Sequence, residues 1–143
     1  MNAYMNQYQN NQILSASPEQ ILILLYDGSI RFCRQAIHAM DAGQRTVQAE
    51  KISRAMAIVC EFANTLDHKV GGEIATDLDA LYSFMTRELT RANLQNDRKA
   101  LETVEDLLSG LRETWLEAIE INRNEMMPGK KSDPAVSQIA AAF

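Results

Sequence analysis

The side chains best suited to chemistry are few and scattered. Neither His38 nor His68 sits in an HExxH or ExxH pairing, the spacings by which helical metal sites bring a carboxylate and an imidazole onto one face. Asp77 and Asp79 are two residues apart, which turns them to different sides of a helix and separates them as an acid–base pair. Cys33 and Cys60 form no CxxC motif, and in helical periodicity a free cysteine behaves as a small hydrophobe. No glycine-rich phosphate loop and no nucleophile elbow appear. These residues predict no enzyme, no metal site and no cofactor, so the elements that carry them must serve another purpose.

Those elements read as helices. Ser17 suits an N-cap, Pro18 the first helical position and Gln20 the third position of a capping box. The first helix is expected to run to about Ala42, with Gly43 as a left-handed stop. From Thr46, the residues Ile52, Ala55, Met56, Val59, Phe62, Ala63, Leu66 and Val70 recur at three- and four-residue steps, giving a second helix that Gly71-Gly72 is expected to end. Ile74, Leu78, Leu81, Tyr82, Met85, Leu89 and Ala92 mark a third. Asn96-Asp97 supplies a turn and a fresh N-cap, and Leu101, Val104, Leu107, Leu108, Leu111, Trp115 and Ile119 mark a fourth. Turns this short force antiparallel neighbours. The expected fold is all-α, an up-down-up-down four-helix bundle over residues 17–125, with an amide-rich N-terminal arm at 1–16 and a flexible tail at 126–143 that carries Pro128-Gly129 and Asp133-Pro134.

Composition narrows the partners. The chain of 143 residues has the length of one domain and carries 14 Lys and Arg against 19 Asp and Glu, a net charge of −5. That balance argues against nucleic acid and against anionic membrane surfaces. The first 17 residues hold no charge, which is unlike a secretory leader, and the longest apolar run, Ile21 to Tyr26, is too short to span a bilayer. A cytoplasmic protein is expected.

The first helix is over-supplied with apolar side chains. Leu22, Leu25, Tyr26, Cys33, Ala36, Ile37 and Met40 suffice for a bundle stripe, which places Ile23 and Ile30 on another face, with Leu24 to one side. Either this helix is covered on two sides or it presents a partner groove. Phe84 poses the same question on the third helix, and Gly28 marks either close helix packing or close approach by a bound segment.

Tyr8-Gln9-Asn10-Asn11, Ser15-Ala16-Ser17-Pro18-Glu19-Gln20 and Leu25-Tyr26-Asp27-Gly28, followed in order by Gly71-Gly72-Glu73-Ile74-Ala75, Leu81-Tyr82, Ala92-Asn93-Leu94, Asn96-Asp97, Val104-Glu105 and Leu111 to Trp115, resemble the FliS family of flagellar secretion chaperones. The ordered set spans about residues 4–120. The resemblance implies a cytosolic bundle, monomer or homodimer, that holds the disordered C-terminal segment of flagellin. It also implies that the protein prevents premature polymerisation and delivers its client to the flagellar type III export gate. A regulatory or structural adaptor for another amphipathic partner, such as an anti-sigma factor, is the alternative. Carried over by motif, the partner-binding candidates are Tyr8 (with Tyr4 a competing match), Ile13 and Leu14 in the arm, and Ile23, Tyr26, Asp27 and Ile30 in the first helix, where Tyr26 is either core or contact. The arm is implied to lie on the same apolar surface when no client is present.

Overall fold

Ser17 starts the first helix as its neighbours dictate. Its Oγ accepts from Gln20 N at 3.2 Å, its own N–H donates to Gln20 Oε1 at 3.0 Å, and Pro18 loses nothing where no intrahelical partner exists. In the computed structural model, which describes residues 17–125, helix α1 spans Pro18–Asp41, α2 Arg45–Thr65, α3 His68–Gln95 and α4 Arg98–Glu125. The expected arm (1–16) and tail (126–143), and with them Tyr4, Tyr8, Ile13 and Leu14, lie outside the described residues.

The helices form a ring in which α1 packs on α2 and α4, and α3 packs on α2 and α4. Gly43 (φ 70°) takes the left-handed conformation after α1, and Asn96 (φ 54°, ψ 44°) does so after α3. Asp97 then caps α4, its Oδ1 accepting from Ala100 N at 3.2 Å. Antiparallel register shows in the ion pairs: Arg98 at the start of α4 holds Asp41 at the end of α1 at 2.9 Å, and Arg34 in α1 holds Glu105 in α4 at 2.6 Å.

One boundary differs from the expectation. The second helix ends at Thr65, six residues before Gly71-Gly72. Leu66 is extended (φ −61°, ψ 133°), and Asp67 Oδ1 accepts from both Lys69 N and Val70 N at 3.1 Å, which starts a new helix at His68. The two glycines fall inside α3. Gly72 has φ 53° and ψ −127°, a conformation open to glycine alone, so it kinks α3 after the first turn rather than ending α2. Val70, on the expected core stripe, is instead 56% exposed.

The core is an aromatic stack inside aliphatic layers. Tyr26 and Phe62 stack at 4.3 Å between ring centroids, and Phe62 meets Tyr82 at 5.6 Å. Met85, Leu89, Leu101, Val104 and Leu108 are fully buried around them. Ile30 is buried too, which corrects its placement on a separate face. It lies four residues after Tyr26 and three before Cys33, so it continues the seam Tyr26–Cys33–Ile37–Met40 that α1 turns toward both its neighbours. Leu22 and Leu25, assigned to the stripe by spacing, are only half-buried. Gly28 is buried, yet a Cβ there would stand 3.6 Å from Ile58 Cδ1, an ordinary contact, so helix packing does not require a glycine at this position.

Candidate functional site

The first turns of α1 and the last turns of α4 carry the same pattern. Pro18, Ile21, Leu22 and Leu25 form one stripe, and Trp115, Ala118, Ile119 and Asn122 form the other, each at steps that bring side chains to one face. The two stripes face each other across a cleft of ≈ 460 Å³ that Thr65, the last residue of α2, closes at one side. Glu19 is the one charged residue in the lining. Such a space takes apolar side chains; it offers little to orient a polar substrate.

Trp115 joins the cleft to the core. It is 3% exposed, and its Nε1 donates to Tyr26 Oη at 2.9 Å, while Tyr26 Oη and Tyr82 Oη lie 2.6 Å apart. A buried indole with its N–H engaged is held in one orientation, so the wall that it gives the cleft is preformed. Burial, only partly opposed by the hydrogen bonds from Tyr82 and Trp115, pushes the Tyr26 phenol from its ordinary 10.0 up to about 12. Tyr82 is raised as well, chiefly by burial and then by its neighbour Tyr26. Burial, with the Glu105 carboxylate adding to it, pushes the Cys33 thiol from 9.0 to about 12.

These shifts fix the sign of an alkaline effect. Between the ordinary and the raised values the unfolded chain has released protons that the folded chain keeps. The stabilisation is therefore complete below about pH 9 and declines as pH rises toward about 12. Urea midpoints are expected to be level from about pH 8 to 9 and to fall progressively above about pH 10. Tyr26→Phe should flatten part of that fall. A wild-type midpoint unchanged to about pH 11 would show these groups ionising in the folded state as they do in the unfolded chain.

The candidates from the first helix separate. Tyr26 is fully buried, a core side chain that supports Trp115 and does not itself line the cleft. Ile30 is core. Ile23 is half-buried and packs against the core cluster. Asp27 forms an ion pair with Arg112 of α4, in a groove of ≈ 500 Å³ that also takes in Arg31 and Arg34. What brings the cleft together is Ile21, Leu22, Leu25, Ala118 and Ile119, none of them among the candidates. The signal was the matched spacing at two helix ends that become neighbours only in the antiparallel bundle. Phe84 stays on the outer surface of α3, 36% exposed.

Among the described residues, no three His, Cys, Asp or Glu side chains cluster as a metal site would require, and no helix is long and apolar enough to cross a membrane. A preformed apolar cleft between two helix ends has the geometry to take apolar side chains. The family model described as flagellar protein FliS matches residues 1–122, and the chain belongs to that family, whose chaperone role is non-enzymatic. It is 39% identical over 114 residues to the flagellar secretion chaperone FliS of Salmonella typhimurium, covering 79% of this chain and 84% of that one. The chain is also similar to the flagellar secretion chaperones FliS of Campylobacter jejuni (35% identity, 84% and 91% covered) and Bacillus subtilis (30%, 82% and 87%).

Proposed function

We propose that this export chaperone works in the cytosol by holding the disordered C-terminal segment of flagellin, with spaced apolar side chains of that segment seated in the cleft of α1 and α4. The cleft is the observation that carries the reading: one charge in its lining, apolar stripes on both walls and an anchored tryptophan. A disordered segment loses chain entropy when it binds, and burial of apolar side chains along a preformed surface offsets that loss. The same segment, once held, is withheld from filament contacts and kept extended for delivery to the export gate.

Seeded polymerisation tests this. Monomeric flagellin mixed with filament fragments should stop elongating when one equivalent of the chain is added, and flagellin lacking its C-terminal segment should form no complex. Elongation at an unchanged rate contradicts the reading.

The arm follows from the same site. Pro18 lines the cleft close behind the arm in sequence, and Tyr8, Ile13 and Leu14 are proposed to cover it in the empty protein. Removing residues 1–15 keeps the Ser17 cap and is expected to raise binding of a hydrophobic dye at unchanged helicity. Unchanged dye binding in a folded variant removes the arm from this role.

A further inference from the structure

Phe32 lies one heptad beyond Leu25 on α1, half-buried against the core. Three cations surround its single ring: Arg31 Cζ stands 5.7 Å from the centroid, and Lys51 Nζ and Arg54 Cζ each stand 5.8 Å from it. Arg31 comes from α1 and the other two from one face of α2, three residues apart. Among the described residues, Glu50 is the one carboxylate ion-paired with any of them, to Arg54 at 3.3 Å. Three positive charges less one negative leave a local +2 on a chain of net charge −5.

The face of an aromatic ring attracts a cation, but three cations sharing one ring also repel one another. An incoming carboxylate relieves that repulsion, and a guanidinium fork fits it with two parallel hydrogen bonds. The ring beneath adds an apolar contact. A polyanion with evenly spaced phosphates gains from a long basic track, which the surrounding acidic chain does not provide. We propose that Phe32, ringed by Arg31, Lys51 and Arg54, is a docking point for an acidic peptide segment that sets an apolar side chain on the ring and carboxylates between the cations. This point is distinct from the cleft. Phe32 is roughly 15 Å along α1 from Leu22, and the attraction is ionic where the cleft's is apolar, so both can be occupied together.

The probe is a fluorescein-labelled peptide repeating Glu-Phe-Glu-Gly, titrated with the full chain and followed by anisotropy, with the Gln-Phe-Gln-Gly repeat as neutral control. The acidic peptide is expected to bind and the neutral one not. Affinity for the acidic peptide should drop at least about tenfold between roughly 50 and 500 mM salt, as the Debye length shrinks severalfold. The double variant Lys51→Glu/Arg54→Glu, with helicity checked by circular dichroism, should lose about tenfold or more at low salt, where like charges now face the peptide. Phe32→Leu, which keeps every charge, should lose a smaller factor. Ile21→Ser, which strikes the cleft, should leave this binding unchanged, so that failure here and failure of the cleft reading are told apart. No binding of the acidic peptide at low salt, equal binding of the neutral one, or indifference to the double charge reversal overturns the proposal. Sensitivity to Ile21→Ser alone does so too, by moving the peptide into the cleft.

Discussion

Ile119→Asp is expected to weaken binding of a flagellin C-terminal segment on the order of 100-fold while leaving the bundle folded. Ile119 is half-buried in the lining of the cleft and stands outside the core cluster, so its loss opens no interior cavity. Two effects add against the client. Losing the apolar contact of an isoleucine removes about 1.5–3 kcal/mol, and a carboxylate there must be desolvated or must keep the client's side chain away. Even the smaller figure is about tenfold in affinity, and the charge takes it further. Isothermal titration of the client peptide into wild-type and variant chains, each checked by circular dichroism, measures the difference. Equal affinities in two folded proteins would remove the α1–α4 cleft from client binding.

Leu108→Ala carries the largest expected cost to the fold. Leu108 is fully buried in α4, within the cluster that holds the Tyr26–Phe62–Tyr82 stack, and truncating such a side chain costs about 2–5 kcal/mol in transfer free energy and cavity. Ile23→Ala, half-buried at the edge of the same cluster, should cost well under half as much. Leu111, which the apolar spacing puts on the same stripe, is half-buried and belongs with Ile23 rather than with Leu108. Urea midpoints at an unchanged denaturant slope give both numbers. Similar losses for Leu108→Ala and Ile23→Ala would make Ile23 a core residue and the outer side of α1 part of the interior.

What the sequence makes plain is whatever one helix decides by itself. Ser17-Pro18-Gln20 is a complete start signal, and Gly43, Asn96 and Asp97 act where their own backbone needs set them. The break at Leu66 was hidden because the apolar repeat runs through it: Leu66 is indeed buried, while Val70, next on the repeat, points away once Asp67 has begun a new helix. Gly71-Gly72 drew attention as a pair of breakers, yet a single positive φ at Gly72 can be absorbed as a kink. The cleft was hidden for another reason. Trp115 and Ile119 read as the end of a core stripe, and only the antiparallel packing of α4 on α1 shows that this stripe outlasts its cover and meets Ile21 and Leu22. Ile30 shows the converse error, since a helix packed on both α2 and α4 buries a wider arc than one stripe predicts.

Trp115 is the chain's one tryptophan and a wall of the cleft, so the protein carries its own reporter of occupancy. The most direct test of apolar holding is calorimetric titration of the flagellin C-terminal peptide over a range of temperatures and at about 50 and 500 mM salt, with Trp115 emission read in parallel. Apolar holding in the cleft should give a 1:1 complex, a change in Trp115 emission that saturates with the heat, a clearly negative heat-capacity change and an affinity that salt alters only mildly. A complex that forms with little heat-capacity change and collapses at the higher salt, while Trp115 emission stays constant, would show the client held by charges elsewhere on the bundle and the cleft empty.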